Sequence, residues 1–281
     1  MSLWFRDECR IVLRPHQLVL AQLRRDLTHR GLQRRVLAKR VVTCKAPANG
    51  EAPWGGALKA LEALLPDIAD HRSYATVILS NHFTRYAMVP WSDALTDETE
   101  ELAYAQHTFS EMYGRDAGNW ELRISPGLPG KPQLASAVDA GLLQSLRDMF
   151  GRQQVSLASI RPHLMAACNA CRAALRRQSA WLALVEQGSL CLALLQDGRL
   201  SWVRTVRTGA HWHKELPFLL NREALVATTA IPTDDVLLWA PDHQAIPAIA
   251  GGHWKIRQLQ PAQLPGIGPE LDGRFAMYLS D

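Results

Sequence analysis

The sequence predicts an α/β protein with two related halves, and three observations support this prediction. Residues 181–208 contain three short apolar runs separated by turns at 186–189 and 196–199. The second turn contains Asp-Gly, which between apolar runs is a strong hairpin signal, so the stretch predicts a three-stranded antiparallel meander. A helical pattern and an apolar strand follow it. The N-terminal part of the chain repeats this order more loosely, which indicates an internal duplication.

The first half begins with apolar runs at 10–13 and 18–23, separated by Arg14-Pro15-His16-Gln17. Proline at the second position of four suits a type I turn, so these runs predict a hairpin. A run at 36–42 completes the first meander. Leucines three and four residues apart then predict an amphipathic helix over 54–65.

The rest of the chain alternates between strand and helix patterns. The predicted strands cover 74–79, 85–89, 120–124, 134–138, 155–160, 236–240, 254–259 and 274–279, and the predicted helices cover 93–113, 140–151, 164–175 and 211–225. We therefore expect a first lobe at 1–178 that contains an inserted αβ subdomain, and a second lobe at 179–281.

Composition bounds the class of protein. With 281 residues, 47% of them hydrophobic, the chain can bury a substantial core. We find no apolar run near the ~20 residues that a membrane-spanning helix needs. The first ten residues carry charges where a signal peptide would be apolar, and five cysteines suit a reducing compartment. We therefore expect a soluble protein inside the cell.

The net charge of +4 is unevenly distributed along the chain. Residues 1–45 hold 11 Lys and Arg against 3 Asp and Glu. Such a segment could bind nucleic acid, anionic lipid or an acidic partner. Because its charges alternate with apolar residues, we interpret them first as the solvent-facing sides of amphipathic strands. Nucleic-acid binding stays an alternative, and the main prediction is that nucleic acid is not a partner.

Two stretches give the chain a family resemblance. They are VILSNHFTRYAMVPW at 77–91, which precedes an acidic helix start, and PHLM at 162–165. Together with the repeated order of elements, they resemble the PilM, GspL cytoplasmic domain and MshI proteins of type IV pilus and type II secretion machines. The resemblance implies an α/β, actin-like (ribonuclease H-like) fold with two lobes, each opening with a three-stranded antiparallel meander.

If the fold is actin-like, nucleotide binding is the first activity to consider. Working members of the superfamily place an Asp-x-Gly turn at the start of each half, where glycine admits phosphate and the acid helps to hold Mg²⁺. The first turn, at 14–17, has neither an acid nor a glycine. The second turn, Glu186-Gln187-Gly188, keeps both. We interpret it as a vestigial phosphate turn, and we expect no cofactor and no catalysis, with a divergent ATPase as the alternative.

Other chemical signatures are weak or missing. The sequence contains no P-loop, no Gly-x-Ser-x-Gly elbow and no His-Glu-x-x-His. Cys168 and Cys171 have redox or zinc spacing, but no second ligand pair accompanies them, so we predict small packed residues. His211 and His213 are predicted to be a surface pair at a helix start. No metal site is expected.

The acidic residues Asp93, Asp97, Glu98 and Glu101 open the helix predicted over 93–113. An ordinary solvated helix start explains them, since the helix dipole favours acids there. A docking face for a basic partner is the alternative. The resemblance implies a scaffold that binds an inner-membrane assembly protein of the PilN or GspM type, and possibly an assembly ATPase. It would be a cytoplasmic protein peripheral to the bacterial inner membrane and would reach the membrane only through its partner.

Overall fold

The computed structural model of the chain describes most of its length. The described residues are 7–29, 31–48, 50–68, 73–95, 97–227, 232–243, 246–249, 252–262, 264–267, 272–276 and 279. The chain folds into two compact units. Unit 1 comprises residues 1–83, 141–170 and 261–281, and unit 2 comprises residues 84–140 and 171–260.

Unit 1 is built on a five-stranded sheet whose strand order is β3-β2-β1-β4-β8. The strands are β1 (Glu8–Leu13), β2 (Gln17–Thr28), β3 (Gly31–Thr43), β4 (Tyr74–Leu79) and β8 (Ser156–Pro162). The first three strands are antiparallel, whereas β4 runs parallel to β1 and β8 runs parallel to β4. The helices of this unit are α1 (Gly55–Ile68), α3 (Ala140–Arg152) and α4 (His163–Ala170).

Unit 2 contains a second five-stranded sheet with the order β11-β10-β9-β12-β13. Its elements are β9 (Ala180–Glu186), β10 (Ser189–Gln196), β11 (Arg199–Arg207), β12 (Asp235–Trp239) and β13 (Lys255–Gln258), with helices α5 (Arg172–Leu175) and α6 (Trp212–Val226). Every residue of β9 is buried, since the strand lies at the centre of the sheet. One face packs Leu190, Leu192 and Leu194 against Trp212 and Leu216 of α6.

The remainder of unit 2 is a small subdomain of three antiparallel strands in the order β5-β7-β6. Its elements are β5 (Thr84–Val89), β6 (Trp120–Ile124), β7 (Gln133–Asp139) and the helix α2 (Glu98–Tyr113). Phe109 of α2 is fully buried against this sheet, with Tyr113 and Trp120 around it. Strand β5 packs against β11 of the larger sheet.

The two larger sheets repeat one design. In each, two hairpins build an antiparallel meander, a helix follows, and two parallel strands complete the sheet on the far side of the first strand. The predicted duplication is therefore confirmed. The predicted lobe boundary after residue 178 divides the chain by this repeat and not by compactness, and it stays a prediction.

Some predicted elements were wrong in type or extent. No strand forms over the described part of 274–279, because Gly273–Phe275 is a 3₁₀ helix and the Asp272 carboxylate accepts a hydrogen bond from the Arg274 amide at 3.0 Å. Such local bonds compete with strand pairing; residues 277 and 278 lie outside the described part. The helix predicted over 164–175 breaks at Cys171, where the Ala170 carbonyl accepts from the Ala262 amide.

Strands β2 and β3 are longer than predicted. They have 12 and 13 residues, because the pairing continues past the apolar runs into the polar residues at 24–35.

None of the helices in the described part of the chain has the length and apolar character that a membrane-spanning helix needs.

Candidate functional site

The carboxyl ends of the parallel strands in unit 1 carry a group of buried polar residues. Strands β1, β4 and β8 are mutually parallel, so their carboxyl ends meet at one edge of the sheet. Arg14 follows β1, Ser80 and Asn81 follow β4, and His163 follows β8. All four are buried. Ligands of α/β proteins bind outside this edge, which makes it the first place to look for a site.

A side-chain hydrogen bond joins two strand ends at this edge. Asn81 Nδ2 lies 3.1 Å from His163 Nδ1, and both residues have no exposed surface. The Ser80 amide donates to the Leu13 carbonyl at 3.0 Å, which joins the ends of β4 and β1. Buried polar groups need such partners. The pairing therefore positions the strand ends relative to each other and occupies part of the edge with protein atoms.

Sequence reasoning did not name Asn81 and His163 as site residues. The available signal was their position directly after apolar strands, since a polar residue there lies at the carboxyl edge of a parallel sheet. The signal needs the strand order, which the sequence alone does not supply. Both residues lie within the two stretches that carry the family resemblance.

The first turn has no phosphate-binding features. Its backbone closes through the Arg14 amide, which donates to the Gln17 carbonyl at 3.1 Å. The His16 carbonyl accepts from the Cys44 amide at 2.9 Å. Pro15 is half-buried and has no N–H to donate. The turn thus contributes no carboxylate for a metal, and no glycine at which a phosphate could approach the backbone.

The second turn keeps the geometry of a tight hairpin. Glu186 and Ser189 face each other in the strand register, and Gln187 and Gly188 form the two-residue turn between them. Gly188 has φ of +80°, a conformation that favours glycine. The Gly188 carbonyl accepts a hydrogen bond from the Thr208 amide at 3.3 Å. Glu186 is only 3% exposed, so its carboxylate is buried beside the turn.

The acidic residues of the proposed docking face do not all lie on the helix. Helix α2 begins at Glu98, and Asp97 is its N-cap, accepting from the Glu100 amide at 2.9 Å. Asp93 precedes the helix, which corrects its predicted place inside it. Its carboxylate accepts a hydrogen bond from Trp91 Nε1 at 2.8 Å. The N-terminal turn of α2 therefore brings together Asp97, Glu98 and Glu101, whereas Asp93 belongs to the preceding loop.

The cysteine pair has the character of packed core residues. Cys171 is buried, and burial raises the pKa of its thiol to about 11, so the thiol is protonated at neutral pH. A thiol that is rarely ionised is a poor nucleophile and a poor zinc ligand.

His211 and His213 lie at the start of α6 with ring centroids 6.0 Å apart. No group of three or more potential metal ligands occurs within the described part of the chain.

The similarity of this chain to known proteins is found in its structure and not in its sequence. No protein-family model and no curated protein matches the sequence. The chain is similar in structure to the cytoplasmic domain of EpsL, an inner membrane component of the type II secretion system of Vibrio cholerae. The TM-score is 0.57 at 12% identity, with 90% of each chain covered.

Two further structures give similar matches. The PilM-PilN type IV pilus biogenesis complex matches with a TM-score of 0.57 at 14% identity, covering 81% of this chain and 79% of that one. A Bacteroides thetaiotaomicron protein of unknown function, described as having an actin-like ATPase fold, matches with a TM-score of 0.53 at 9% identity and covers 84% of this chain and 82% of that one. The fold is actin-like. The predicted resemblance to PilM and to GspL/EpsL cytoplasmic domains is thereby confirmed at the level of the fold.

Proposed function

We propose that the chain is a non-catalytic, actin-like scaffold of a type IV pilus or type II secretion assembly platform. In this role it lies on the cytoplasmic side of the inner membrane and binds a membrane partner of the PilN or GspM type. The proposal also allows contact with an assembly ATPase. The fold is the one found in EpsL and in the PilM-PilN complex.

The observation that carries the non-catalytic part is the first turn. The superfamily's chemistry needs an acid and a glycine there, and this chain has Arg14-Pro15-His16-Gln17, which is closed by a hydrogen bond from the Arg14 amide to the Gln17 carbonyl. An arginine in place of the acid would repel Mg²⁺, and a proline removes an amide that could bind phosphate. One intact turn in the second half does not supply both sides of a nucleotide site.

The second turn favours one alternative function. Buried Glu186 two residues before Gly188 retains the residue types of a working phosphate turn. A divergent ATPase of the actin or sugar-kinase type would use it. Saturable micromolar binding of Mg-ATP, lost in Glu186→Ala, would favour that function over the scaffold.

The partner-binding part is tested with purified components. The probe is a fluorescent peptide copied from the cytoplasmic segment of the PilN-type or GspM-type protein of the same organism, and anisotropy measures its binding. We expect saturable binding to the wild-type chain. No binding of any such segment, with the chain folded by circular dichroism, would contradict the proposal.

A paired charge reversal locates the docking face. Glu98→Lys with Glu101→Lys should weaken binding of a basic segment about tenfold or more, since each reversal turns an attraction into a repulsion. Glu111→Lys is the matched control, because Glu111 is exposed at the other end of the same helix. Equal effects of the two changes would remove α2's start from the binding site and leave the scaffold role intact.

A further inference from the structure

The two repeats differ most in the length of their second hairpin. In unit 2, β10 continues by only Gln196 past Leu195, the last residue that pairs with the central strand β9. In unit 1, β2 continues through residues 24–28 past Leu23, the last residue that pairs with β1. We name residues 24–35 the basic arm. Because the second repeat completes the same sheet without such an extension, the sheet itself does not require it.

The basic arm concentrates positive charge. It contains five arginines and one aspartate, a net charge of +4 that equals the net charge of the whole chain. In the strand register Arg24 faces Arg35, and Arg25 faces Arg34. Like charges directly opposite each other destabilise a β ladder, so the fold alone gives no reason for this arrangement.

Four of the five arginines pair with acidic side chains. Arg24 pairs with Asp7 at 2.7 Å, and Arg35 with Asp26 at 3.5 Å. Arg25 and Arg34 share the one carboxylate of Glu8, at 3.9 Å and 3.7 Å, and Glu8 also pairs with Arg10. The side chains of Arg24 and Arg35 are 46% and 65% exposed, so the outer guanidinium groups remain accessible to an anionic surface.

An exposed leucine lies close to the tip of the arm. Leu27 is 75% exposed, and the register places it opposite Leu32. The arm contains no Phe, Tyr or Trp on which a nucleic-acid base could stack. An exposed leucine close to the tip of an arginine-rich arm suits a lipid interface that the tip enters first, so that the leucine reaches the headgroup region and the arginines behind it bind phosphate.

We propose that the basic arm binds directly to an anionic lipid surface. Leu27, close to the tip, is its apolar anchor, and Arg24 and Arg35, three residues further from the tip and on the other face of the two strands, are its main phosphate-binding groups. This contact goes beyond the proposed function, which requires only a protein partner, and it departs from the prediction that the chain reaches the membrane only through that partner. It does not depend on the identity of the partner.

Co-sedimentation with lipid vesicles tests the proposal without any partner protein. The probes are vesicles of phosphatidylcholine with about a third of phosphatidylglycerol, and vesicles of phosphatidylcholine alone. We expect binding to the anionic vesicles that weakens steeply as salt is raised, and little binding to neutral vesicles. Replacing two arginines, Arg24→Gln with Arg35→Gln, should weaken binding about 20-fold, and Leu27→Asp about tenfold.

Matched controls separate the arm from general surface charge. Arg123→Gln removes an exposed arginine, and Leu128→Asp changes an exposed leucine, both on the small subdomain of unit 2. These variants should bind vesicles like wild type, and thermal unfolding should show that all the variants fold. Equal binding to neutral vesicles, or no difference between arm and control variants, would overturn the proposal. The proposal would also be overturned if the chain did not bind vesicles but bound an oligonucleotide through the arginines of the arm.

Discussion

The two halves of this molecule have the same sheet order and differ at both ends of the meander. At one end, the first half has a turn with proline and arginine where the second half keeps Glu186 and Gly188. At the other end, the first half extends into the basic arm and the second closes in the tight Asp197-Gly198 turn. The shared parts define the fold. Of the parts that differ, the first turn supports the proposal of a non-catalytic role, and the basic arm supports the proposal of lipid binding.

The largest expected effect concerns two buried carboxylates that pair with arginines, Glu8 in unit 1 and Glu223 in unit 2. Glu223 is 1% exposed and lies 2.8 Å from Arg222 and 3.8 Å from Arg204. Because Glu223→Ala removes two charge-assisted hydrogen bonds from Arg222 and leaves a cavity in place of a buried side chain, we expect it to destabilise the chain by about 3 kcal/mol. Urea unfolding measures the loss.

The corresponding change in the first half is Glu8→Ala, which should cost a similar amount and should also loosen the basic arm. Glu121→Ala is the control, since its pair with the exposed Arg123 at 3.4 Å contributes well under ~1 kcal/mol. A loss no larger in the two buried variants than in the control would mean that neither carboxylate supports its half.

The two hairpin turns should respond differently to the same substitution. A Cβ at Gly198 would lie 2.6 Å from the Arg177 amide nitrogen, and the backbone φ is +74°. Gly198→Ala should therefore cost about 3 kcal/mol, from left-handed strain and a clash with backbone. Gly31 also has positive φ, but nothing lies within 4 Å of its Cβ position. Gly31→Ala should cost only about 1 kcal/mol, from strain alone.

Thermal unfolding of the two alanine variants compares them directly. The account predicts a clearly lower midpoint for Gly198→Ala than for Gly31→Ala. Equal midpoints would show that the second hairpin is not held against the 175–177 backbone as the structure has it.

Acid should destabilise the first half through Glu8. Burial raises the pKa of this carboxyl, but Arg10, Arg34 and its hydrogen bonds outweigh burial and hold the pKa below its ordinary value of 4.5. A lowered folded pKa means that the stabilisation is complete above about pH 5 and is lost as the pH falls through the folded value.

The measurement is the urea midpoint between neutral pH and about pH 3. Glu8→Gln should be less stable than wild type at neutral pH, and its midpoint should fall less on acidification. Parallel curves for the two proteins would exclude Glu8 as a source of the acid sensitivity.

The smallest expected change in the free energy of unfolding comes from a substitution near the tip of the basic arm. Leu27 is mostly exposed, so Leu27→Ser should change the free energy of unfolding by less than about 0.5 kcal/mol. A loss above about 1 kcal/mol would show that Leu27 packs against the protein and is not available to a lipid surface.

Local patterns predicted most of the fold. The Asp-Gly turn and its apolar flanks predicted β9–β11, and leucine spacing predicted α1, because those signals depend on residues close in the chain. The length of β2 and β3 was not predictable from such patterns. The outer part of β2 contains Arg24 and Arg25, which form ion pairs with Asp7 and Glu8. These pairs depend on the three-dimensional arrangement and cannot be read from the sequence.

The candidate site was less predictable than the fold. The two turns could be located from the sequence, since they separate apolar runs. The Asn81–His163 hydrogen bond joins residues 82 apart and requires the parallel pairing of β4 with β8. Similarly, the sequence placed Asp93 inside a helix because acidic residues are favoured at helix starts. In the structure Asp97 is the N-cap, and the helix begins at Glu98.

Calorimetry with Mg-ATP measures whether this actin-like fold lacks a working nucleotide site. We expect no saturable heat at millimolar nucleotide for the wild-type chain, and the same result for Glu186→Ala. Saturable micromolar binding that requires Mg²⁺ and disappears in Glu186→Ala would contradict this expectation and would make the second turn part of a functional site.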